Sequence, residues 1–395
     1  MKRFVKQRKP MVHNILKTLT LVSAMVILGA CSSFSKKDNI DPPSELVKFS
    51  STVSPSKAWA VSAGNGNGSI IVGLTPYIQG DYIYSSDYKG NVISLNRDTG
   101  KRAWSVSLQK RVSGAVGGGE DKLAVGTLDG EVILLDAENG EVLWTAQVSS
   151  EIITSPVIAD DRVIVRSHDG RVFGLELNSG KRSWVYDSPV PLLTMRGNAE
   201  VIARAGIAVI PFDSGKITGI RIEDGVIQWE KLISEQTGRN ELERLVDLDG
   251  KTGIVATTVY TAGYNGSTAA LSLNSGRLEW SNEISSGTGV SVARSKLYAS
   301  TDNGIVRAMS RETGTTLWEQ KGLKFRGLTT PIQFDDYVVV GDFEGYLHWM
   351  DSETGRFVAR TRIDSSGIST APQQAGGRLY VQSNKGLIVA YDIDN

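Results

Sequence analysis

The sequence has few of the residues from which disulfide frameworks, metal centres and hydrolytic sites are built. One of its 395 residues is cysteine and three are histidine. This excludes an internal disulfide framework and leaves little for a histidine-based metal site or catalytic triad. The motifs GxSxG, HExxH and CxxC are also absent. We therefore predict that the protein is not an enzyme, with no catalytic residues, no cofactor and no metal site.

Acidic residues are absent from the start of the chain, although the sequence as a whole is balanced in charge. The whole sequence has 43 basic and 43 acidic residues, but the segment from Met1 to Ala30 holds six of the bases and none of the acids. The remainder is therefore net acidic, which favours solubility and argues against binding to nucleic acid. Apolar residues at 40% and charged residues at 22% predict an ordinary folded protein.

Residues 1–30 have the features of a secretory signal peptide. A basic region ending at Lys17 precedes the apolar run Leu19–Leu28, which is too short for a comfortable membrane span. Either Met1 or Met11 could be the initiator, because the residues between them add only charge.

The end of this segment carries a motif for lipid attachment. The sequence Leu28-Gly29-Ala30-Cys31 resembles a bacterial lipobox, which is cut before the cysteine that then receives the lipid. Because Ser32 rather than aspartate follows, the resemblance implies a lipoprotein of the outer membrane that faces the periplasm. Residues 31–54 are polar and have little apolar pattern, so we predict a lipid-anchored flexible tether there.

The most informative feature of the sequence is an internal repeat. Two turn glycines lie ten residues apart, and a tryptophan follows the second glycine by four residues. Six copies have this full pattern, which places tryptophan at Trp104, Trp144, Trp184, Trp229, Trp280 and Trp318. A seventh copy has Gly345 and Gly355 but Ala359 in place of tryptophan, and an eighth begins at Gly386.

Each repeat contains four short runs rich in valine, isoleucine and aromatic residues, separated by glycine turns, and this predicts four strands. A period of roughly 40–45 residues between successive copies is typical of a β-propeller. The eighth copy lacks its fourth strand, and the segment around Trp59 supplies one. We therefore predict an all-β, eight-bladed propeller over residues 55–395, closed by its N-terminal strand, in which all seven tryptophans pack between blades.

Two connections are longer than the repeat requires and carry apolar and charged residues. The stretches from Trp184 to Gly215 and from Trp229 to Gly266 both exceed the spacing of the plain copies. The first contains the sequence PVPLLTMRG and the second contains ELERLVDLDG. A third excess, after Trp59, is rich in glycine and asparagine and is typical of a flexible loop.

Insertions in adjacent repeats should form one binding face, and apolar residues beside charged ones fit a protein interface. The alternative is that the apolar residues only fill a widened blade.

The repeat resembles that of the quinoprotein propellers. The similarity rests on the sequence DTGKRAW at Asp98–Trp104 and on four prolines that each precede a turn glycine by fourteen residues, Pro76, Pro156, Pro331 and Pro372. Two families have this fold. The dehydrogenases place their quinone cofactor over paired cysteines, which this propeller lacks. The other family, the BamB lipoproteins of outer-membrane barrel assembly, also has the signal peptide, lipobox, tether and single propeller.

Membership of the second family would imply a non-enzymatic scaffold of the BAM complex that helps to fold and insert β-barrel proteins. In that family the two insertions contact the POTRA domains of BamA. The resemblance assigns these contacts here to Leu193, Met195, Arg196, Asp247 and Asp249. Two alternatives remain: a quinoprotein enzyme, and a propeller whose blade edges capture strands of unfolded barrel proteins by β-augmentation.

Overall fold

The computed structural model describes residues 1, 41–68, 73–191, 194, 199–235, 245–248 and 250–393. These residues contain 32 strands in eight four-stranded antiparallel sheets. No helix among them could span a membrane. Residues 43–395 form one compact unit. The prediction of an all-β propeller with eight blades is confirmed.

The chain begins with β1 (Pro55–Ser62), which belongs to the last blade. Blades one to four are formed by β2 (Tyr77–Gln79), β3 (Tyr82–Ser86), β4 (Asn91–Asn96), β5 (Arg102–Ser107); β6 (Val112–Gly119), β7 (Lys122–Thr127), β8 (Glu131–Asp136), β9 (Val142–Gln147); β10 (Val157–Ala159), β11 (Arg162–Arg166), β12 (Arg171–Glu176), β13 (Arg182–Asp187); and β14 (Ile202–Arg204), β15 (Ile207–Pro211), β16 (Lys216–Arg221), β17 (Ile227–Leu232). Blades five to eight are formed by β18 (Gly253–Val255), β19 (Thr258–Ala262), β20 (Thr268–Ser272), β21 (Leu278–Asn282); β22 (Val290–Val292), β23 (Lys296–Ser300), β24 (Val306–Ser310), β25 (Thr316–Gln320); β26 (Ile332–Phe334), β27 (Tyr337–Gly341), β28 (Tyr346–Asp351), β29 (Phe357–Arg362); and β30 (Gln373–Ala375), β31 (Arg378–Gln382), β32 (Leu387–Ile393) with β1.

Hydrophobic side chains form a separate core between each pair of neighbouring blades. Between blades three and four, for example, Ile164 packs with Ile210 and Ile220, all fully buried. The inner strands therefore bury both faces of each sheet. Because every core needs two blades, a blade by itself would leave its apolar faces in water.

The outer-strand tryptophans join each blade to the next. Each indole Nε1–H donates to a backbone carbonyl just beyond the third strand of the following blade, at 2.6–3.1 Å. The seven donors are Trp59, Trp104, Trp144, Trp184, Trp229, Trp280 and Trp318, and the acceptors are Arg97, Ala137, Leu177, Ile222, Leu273, Arg311 and Ser352. The buried indole thus has a partner for its polar group.

Blade seven reverses an arrangement that most blades share. In six blades the residue paired with the tryptophan across the sheet is serine, glycine or alanine, and in blade two it is Leu134. In blade seven Trp349 of β28 is paired with Ala359 of β29. The indole has moved to the inner strand, is fully buried, and donates to the hydroxyl of Thr361 at 3.2 Å. The exchange supplies the aromatic volume that Ala359 lacks.

The ring closes as the sequence predicts. Strand β1 pairs antiparallel with β32 from Pro55 opposite Ile393 to Ser62 opposite Leu387. Trp59 then contacts blade one, since its indole donates to the Arg97 carbonyl. The last blade therefore contains both ends of the propeller, and the third strand of that blade has no open edge.

Residues 44–53 lie along the outer strand of blade seven before β1 begins. The Ser44 N–H donates to the Lys324 carbonyl and the Thr52 N–H to the Val358 carbonyl, each at 2.9 Å. The rings of Phe49 and Phe357 stack with centroids 5.4 Å apart. We call residues 44–53 the strap. Its polar composition alone does not predict these contacts.

The second turn of a repeat should require glycine, because the tryptophan of the preceding blade packs directly against it. At Gly140 φ is 77°, and a Cβ atom would lie 2.7 Å from the Trp104 ring. Gly206 has the same φ, but a Cβ there would meet nothing within 4 Å. Positive φ costs alanine about 1–2 kcal/mol, and forcing atoms into a packed site costs about 1–3 kcal/mol more.

We therefore expect Gly140→Ala to lower the free energy of unfolding more than Gly206→Ala, by about 1–3 kcal/mol. Urea unfolding of the two variants provides the measurement. Equal losses would show that contact with the indole does not constrain the turn.

Candidate functional site

Both long connections leave the same face of the propeller. Antiparallel strands alternate in direction, so the turn between the second and third strands of a blade lies at the same end as the connection to the next blade. Hydrogen bonds reflect this: the Ser188 N–H donates to the Gly170 carbonyl, and the Ile233 N–H to the Gly215 carbonyl. We call this face the connection face. The connections after blades three and four are therefore neighbours on it.

The first insertion begins exposed and ends buried. Val190 is 39% exposed beside the Gly170 turn, whereas Ala199 and Val201 are buried. Val201 packs in the core between blades three and four. The ends of the insertion are therefore held by the propeller. The predicted contact residues Leu193, Met195 and Arg196 lie outside the described residues.

The second insertion returns to the propeller as a buried segment. Val246, Asp247 and Leu248 are at most 3% exposed. Asp247 and Tyr264 exchange backbone hydrogen bonds at 3.3 and 2.7 Å, and Leu248 joins the core between blades four and five. The return segment thus behaves as an additional piece of sheet.

The structure places the two predicted acidic residues differently. Asp249 lies outside the described residues, and Asp247 is described with no exposed surface. A carboxyl group buried in this way interacts with its own protein when no partner is bound. Its burial could not be anticipated from the run of alternating acidic and apolar residues in the sequence.

A buried ion pair joins blades three and four, which the first insertion connects. Arg166 of blade three and Asp213 of blade four form a salt bridge, with side chains 7% and 6% exposed. The Arg166 Nη1 also donates to the Pro211 carbonyl at 3.1 Å, and its guanidinium lies 5.3 Å from the centre of the Phe212 ring. These contacts satisfy the buried charges and fix the relative position of the blades.

A second polar cluster joins the outer strands of the same blades. The Tyr186 hydroxyl donates to Glu230 at 2.6 Å, and the Lys216 ammonium donates to Tyr186 and Glu230 at 3.0 and 2.9 Å. The hydrogen bonds from Tyr186 and Lys216 lower the pKa of Glu230. Burial opposes the charge of Lys216, but its bonds to Tyr186 and Glu230 raise its pKa overall. Glu230 and Lys216 therefore remain charged at neutral pH.

The propeller also has a cavity of about 710 Å³ on its axis. Its lining comes from the start of each blade and is mostly small or uncharged, with Glu200 and Lys251 as its charged residues. The lining contains no cysteine, and the described residues contain no group of three side chains suited to hold a metal ion. The cavity therefore lacks the paired cysteines on which quinone binding was expected to depend.

Removing the counter-charge of Arg166 tests how much the buried ion pair stabilises the junction between blades three and four. Asp213→Asn leaves a buried guanidinium without its anion, which typically costs about 3–5 kcal/mol of stability. Asp224→Asn is the matched control, because Asp224 pairs with Arg221 at the surface of the same blade. We expect a large fall in the unfolding midpoint for the first variant and little change for the second. Similar midpoints for both would show that the buried pair does not stabilise this junction.

Comparison with known proteins agrees with this architecture. A family model described as outer membrane protein assembly factor BamB matches residues 88–320 and 302–395. The protein of that name from Pseudomonas aeruginosa is 48% identical over 94% of this chain and 97% of its own length. The Escherichia coli protein of the same name is 36% identical over 92% of this chain and 96% of its own length.

Solved structures show the same fold. BamB from Moraxella catarrhalis superposes with a TM-score of 0.79 at 27% identity, over 86% of this chain and all of that one. A quinohemoprotein alcohol dehydrogenase from Comamonas testosteroni gives 0.66 at 14% identity, covering 85% of this chain and 76% of that one, and shares the fold alone. With the family model matched over most of the propeller and relatives matched over nearly their whole length, the chain belongs to the BamB family of outer membrane protein assembly factors.

Proposed function

We propose that this protein is a non-enzymatic scaffold subunit of the BAM complex, which assembles β-barrel proteins in the outer membrane. The observation that carries the proposal is the pair of inserted connections on neighbouring blades, in a chain 48% identical to a named assembly factor. A propeller holds such connections on rigid strands, which suits them to bind a partner. Its cavity lacks the cysteines expected of the quinoprotein alternative.

The partner proposed for the insertions is BamA, through its POTRA domains. An exposed apolar residue lies at the start of the first insertion, Val190 at 39%, and another lies just before the second, Leu232 at 51%. An apolar centre ringed by charge is typical of protein interfaces. Leu193, Met195 and Arg196 would supply apolar and cationic contacts, and Asp249 an acidic one. The burial of Asp247 favours a role in holding the loop, so its replacement should affect stability as well as binding.

The protein is further proposed to be anchored by lipid on Cys31, on the periplasmic side of the outer membrane. The support is the lipobox sequence and the assignment to a family of outer-membrane assembly factors. Acyl chains bind a membrane by burying methylene groups, at about 0.8 kcal/mol each. Such an anchor would keep the propeller near the membrane where its partner acts.

Arg196→Ala should weaken binding to BamA while leaving the propeller folded. Loss of one side of a desolvated charge pair costs about 2–5 kcal/mol, or about 30-fold and more in affinity. Co-purification from detergent-solubilised membranes and a thermal melting curve give the two readouts. Arg102→Ala, an exposed arginine on β5, is the charge-matched control and should change neither.

Normal recovery of BamA with Arg196→Ala would reject the proposed contact. A fall in the melting temperature would instead indicate that the insertion stabilises its own blade.

Cys31→Ala should prevent lipid attachment and remove the protein from the outer membrane. In cells that lack the other BAM subunits, we expect the wild type to fractionate with the outer membrane and the variant to be soluble or uncleaved. Retention of the variant in the outer membrane of those cells would rule out the lipobox as the anchor.

A further inference from the structure

Two arginines of the propeller hold the strap, residues 44–53, against blade seven. The Arg326 Nη1 donates to the Ser44 carbonyl at 3.0 Å, and the Arg360 Nη2 donates to the Val47 carbonyl at 3.1 Å. The Arg360 guanidinium also lies 5.1 Å from the centre of the Phe49 ring. Bonds from a charged donor are stronger than neutral ones, so each of these two bonds contributes more to the attachment of the strap than one of its neutral backbone bonds.

The two arginines are connected through a buried aspartate and histidine. The Arg326 Nε donates to Asp342 Oδ2 at 2.9 Å, and the His348 Nε2 lies 2.9 Å from the same oxygen. The Arg360 Nε donates to the His348 Nδ1 at 3.2 Å. Asp342 and His348 have no exposed surface. The Asp342 carboxylate can only accept a hydrogen bond, so the His348 Nε2 must carry a hydrogen. The Arg360 Nε–H can only donate, so the His348 Nδ1 must be free of one. Both conditions fit the neutral imidazole protonated on Nε2.

Blade seven differs from blades one to three where this network lies. The place of His348, three residues after the turn glycine, is taken by Ile93, Ile133 and Phe173 in blades one to three. The place of Arg360 is taken there by Ser105, Thr145 and Val185. A blade can therefore form with apolar or small residues at these positions. The pair of His348 and Arg360 is therefore not needed to form a blade, and in blade seven Arg360 contacts the strap.

We propose that the strap is a releasable latch, which sets how much chain separates Cys31 from the propeller and which opens when His348 binds a second proton. A proton on Nδ1 would remove the acceptor used by the Arg360 Nε and place a cation beside that guanidinium. Arg360 would then turn away, so that the Val47 carbonyl loses its donor and the Phe49 ring loses the cation beside it. Phe49 would keep its stack on Phe357, and Ser44 its bonds to Arg326 and Lys324, as weaker remaining attachments of the strap.

The surroundings of His348 support a neutral ring at neutral pH. Burial lowers its pKa, and the charges of Arg360 and Arg326 lower it further, while the bond to Asp342 acts in the opposite direction. The groups that face the ring from neighbouring elements are Asp342, Arg360, Tyr346 and Phe357, with Arg326 and Glu344 behind Asp342. The pKa of His348 is therefore lower in the folded protein than in the unfolded chain. The neutral ring stabilises the fold fully at a pH above the unfolded pKa, and this stabilisation is lost as the pH falls through the folded pKa.

Release of the whole strap, including Ser44 from Arg326 and Lys324, would roughly double the reach of the N-terminal segment. With the strap bound, residues 32–43 connect Cys31 to the propeller and can extend at most about 40 Å. With the strap free, residues 32–54 can extend about 80 Å. Ser44 is held at the connection between blades six and seven, which belongs to the connection face. This consequence for membrane attachment rests on the lipid anchor proposed above, whereas the latch itself does not.

Hydrogen exchange of the full-length protein tests the latch directly. The amides of Ser44 and Thr52 report the strap, and amides of β1 report the adjoining sheet. Between about pH 8 and about pH 4.5, we expect the strap amides to lose about tenfold or more of their protection, corrected for chemical exchange, while β1 stays protected. Strap protection that is constant over this range, or lost together with that of β1, would overturn the proposal.

Substitutions separate the latch from its proton sensor. Arg360→Ala should lower the hydrogen-exchange protection of the strap amides about tenfold or more at neutral pH. Loss of one charge-assisted hydrogen bond gives a factor of that size. Arg362→Ala is the control on the same strand, because Arg362 bonds to the Glu344 carbonyl and covers Tyr346 without touching the strap. His348→Gln cannot take up the proton and should keep the strap protected in acid. Acid release in His348→Gln equal to that of the wild type would overturn the role of His348.

A second substitution keeps the proposal testable if His348→Gln does not fold. Phe49→Ala leaves the buried network intact and removes the ring that lies under Arg360 and stacks on Phe357. It should expose the strap at neutral pH without lowering the melting temperature. Full protection of the strap in both Phe49→Ala and Arg360→Ala would reject the latch. None of these outcomes depends on lipid or BamA, so they are independent of the tests of anchoring and partner binding.

Discussion

The propeller depends on the contact between each outer-strand tryptophan and the blade that follows it. The indole covers a glycine turn and places its N–H on a carbonyl that the neighbouring sheet leaves free, as Trp104 does with Gly140 and Ala137. Apolar burial and a satisfied polar group thus occur in one side chain. Repeated around the ring, this contact makes the stability of every blade depend on its neighbours. In blade seven the indole is that of Trp349 on the inner strand, which packs against Tyr391 of blade eight but donates its N–H to Thr361 of its own blade.

A ring held in this way can carry long connections without losing its shape. The two insertions connect blades three, four and five, and the Arg166–Asp213 pair and the cluster around Lys216 add polar links between the sheets of blades three and four. The second insertion even returns as buried backbone bonded to Tyr264. The surfaces proposed to bind BamA are therefore presented from a stiff base, which reduces the entropy lost on binding.

The same ring also receives its own N-terminal strap. The Ser44 end of the strap lies on the connection face, as the insertions do, because Ser44 bonds to Lys324 in the connection between blades six and seven. This places the point where the chain leaves the propeller on the face that carries the proposed binding surface. Anchor and partner would then act on the same side of the scaffold, and the latch on blade seven would decide how far that side can be from the membrane.

The sequence by itself determined the repeating part of this protein. Periodic glycines and tryptophans predicted eight four-stranded blades and their closure by β1, because turn conformation and alternating strands are local properties of a few residues. Spacing also located the two insertions. The tertiary structure alone decided the exchange between Trp349 and Ala359, the burial of Asp247, and the binding of the strap by Arg326 and Arg360. Each of these joins residues far apart in the chain, and burial and pairing between such residues follow from packing that no local pattern contains.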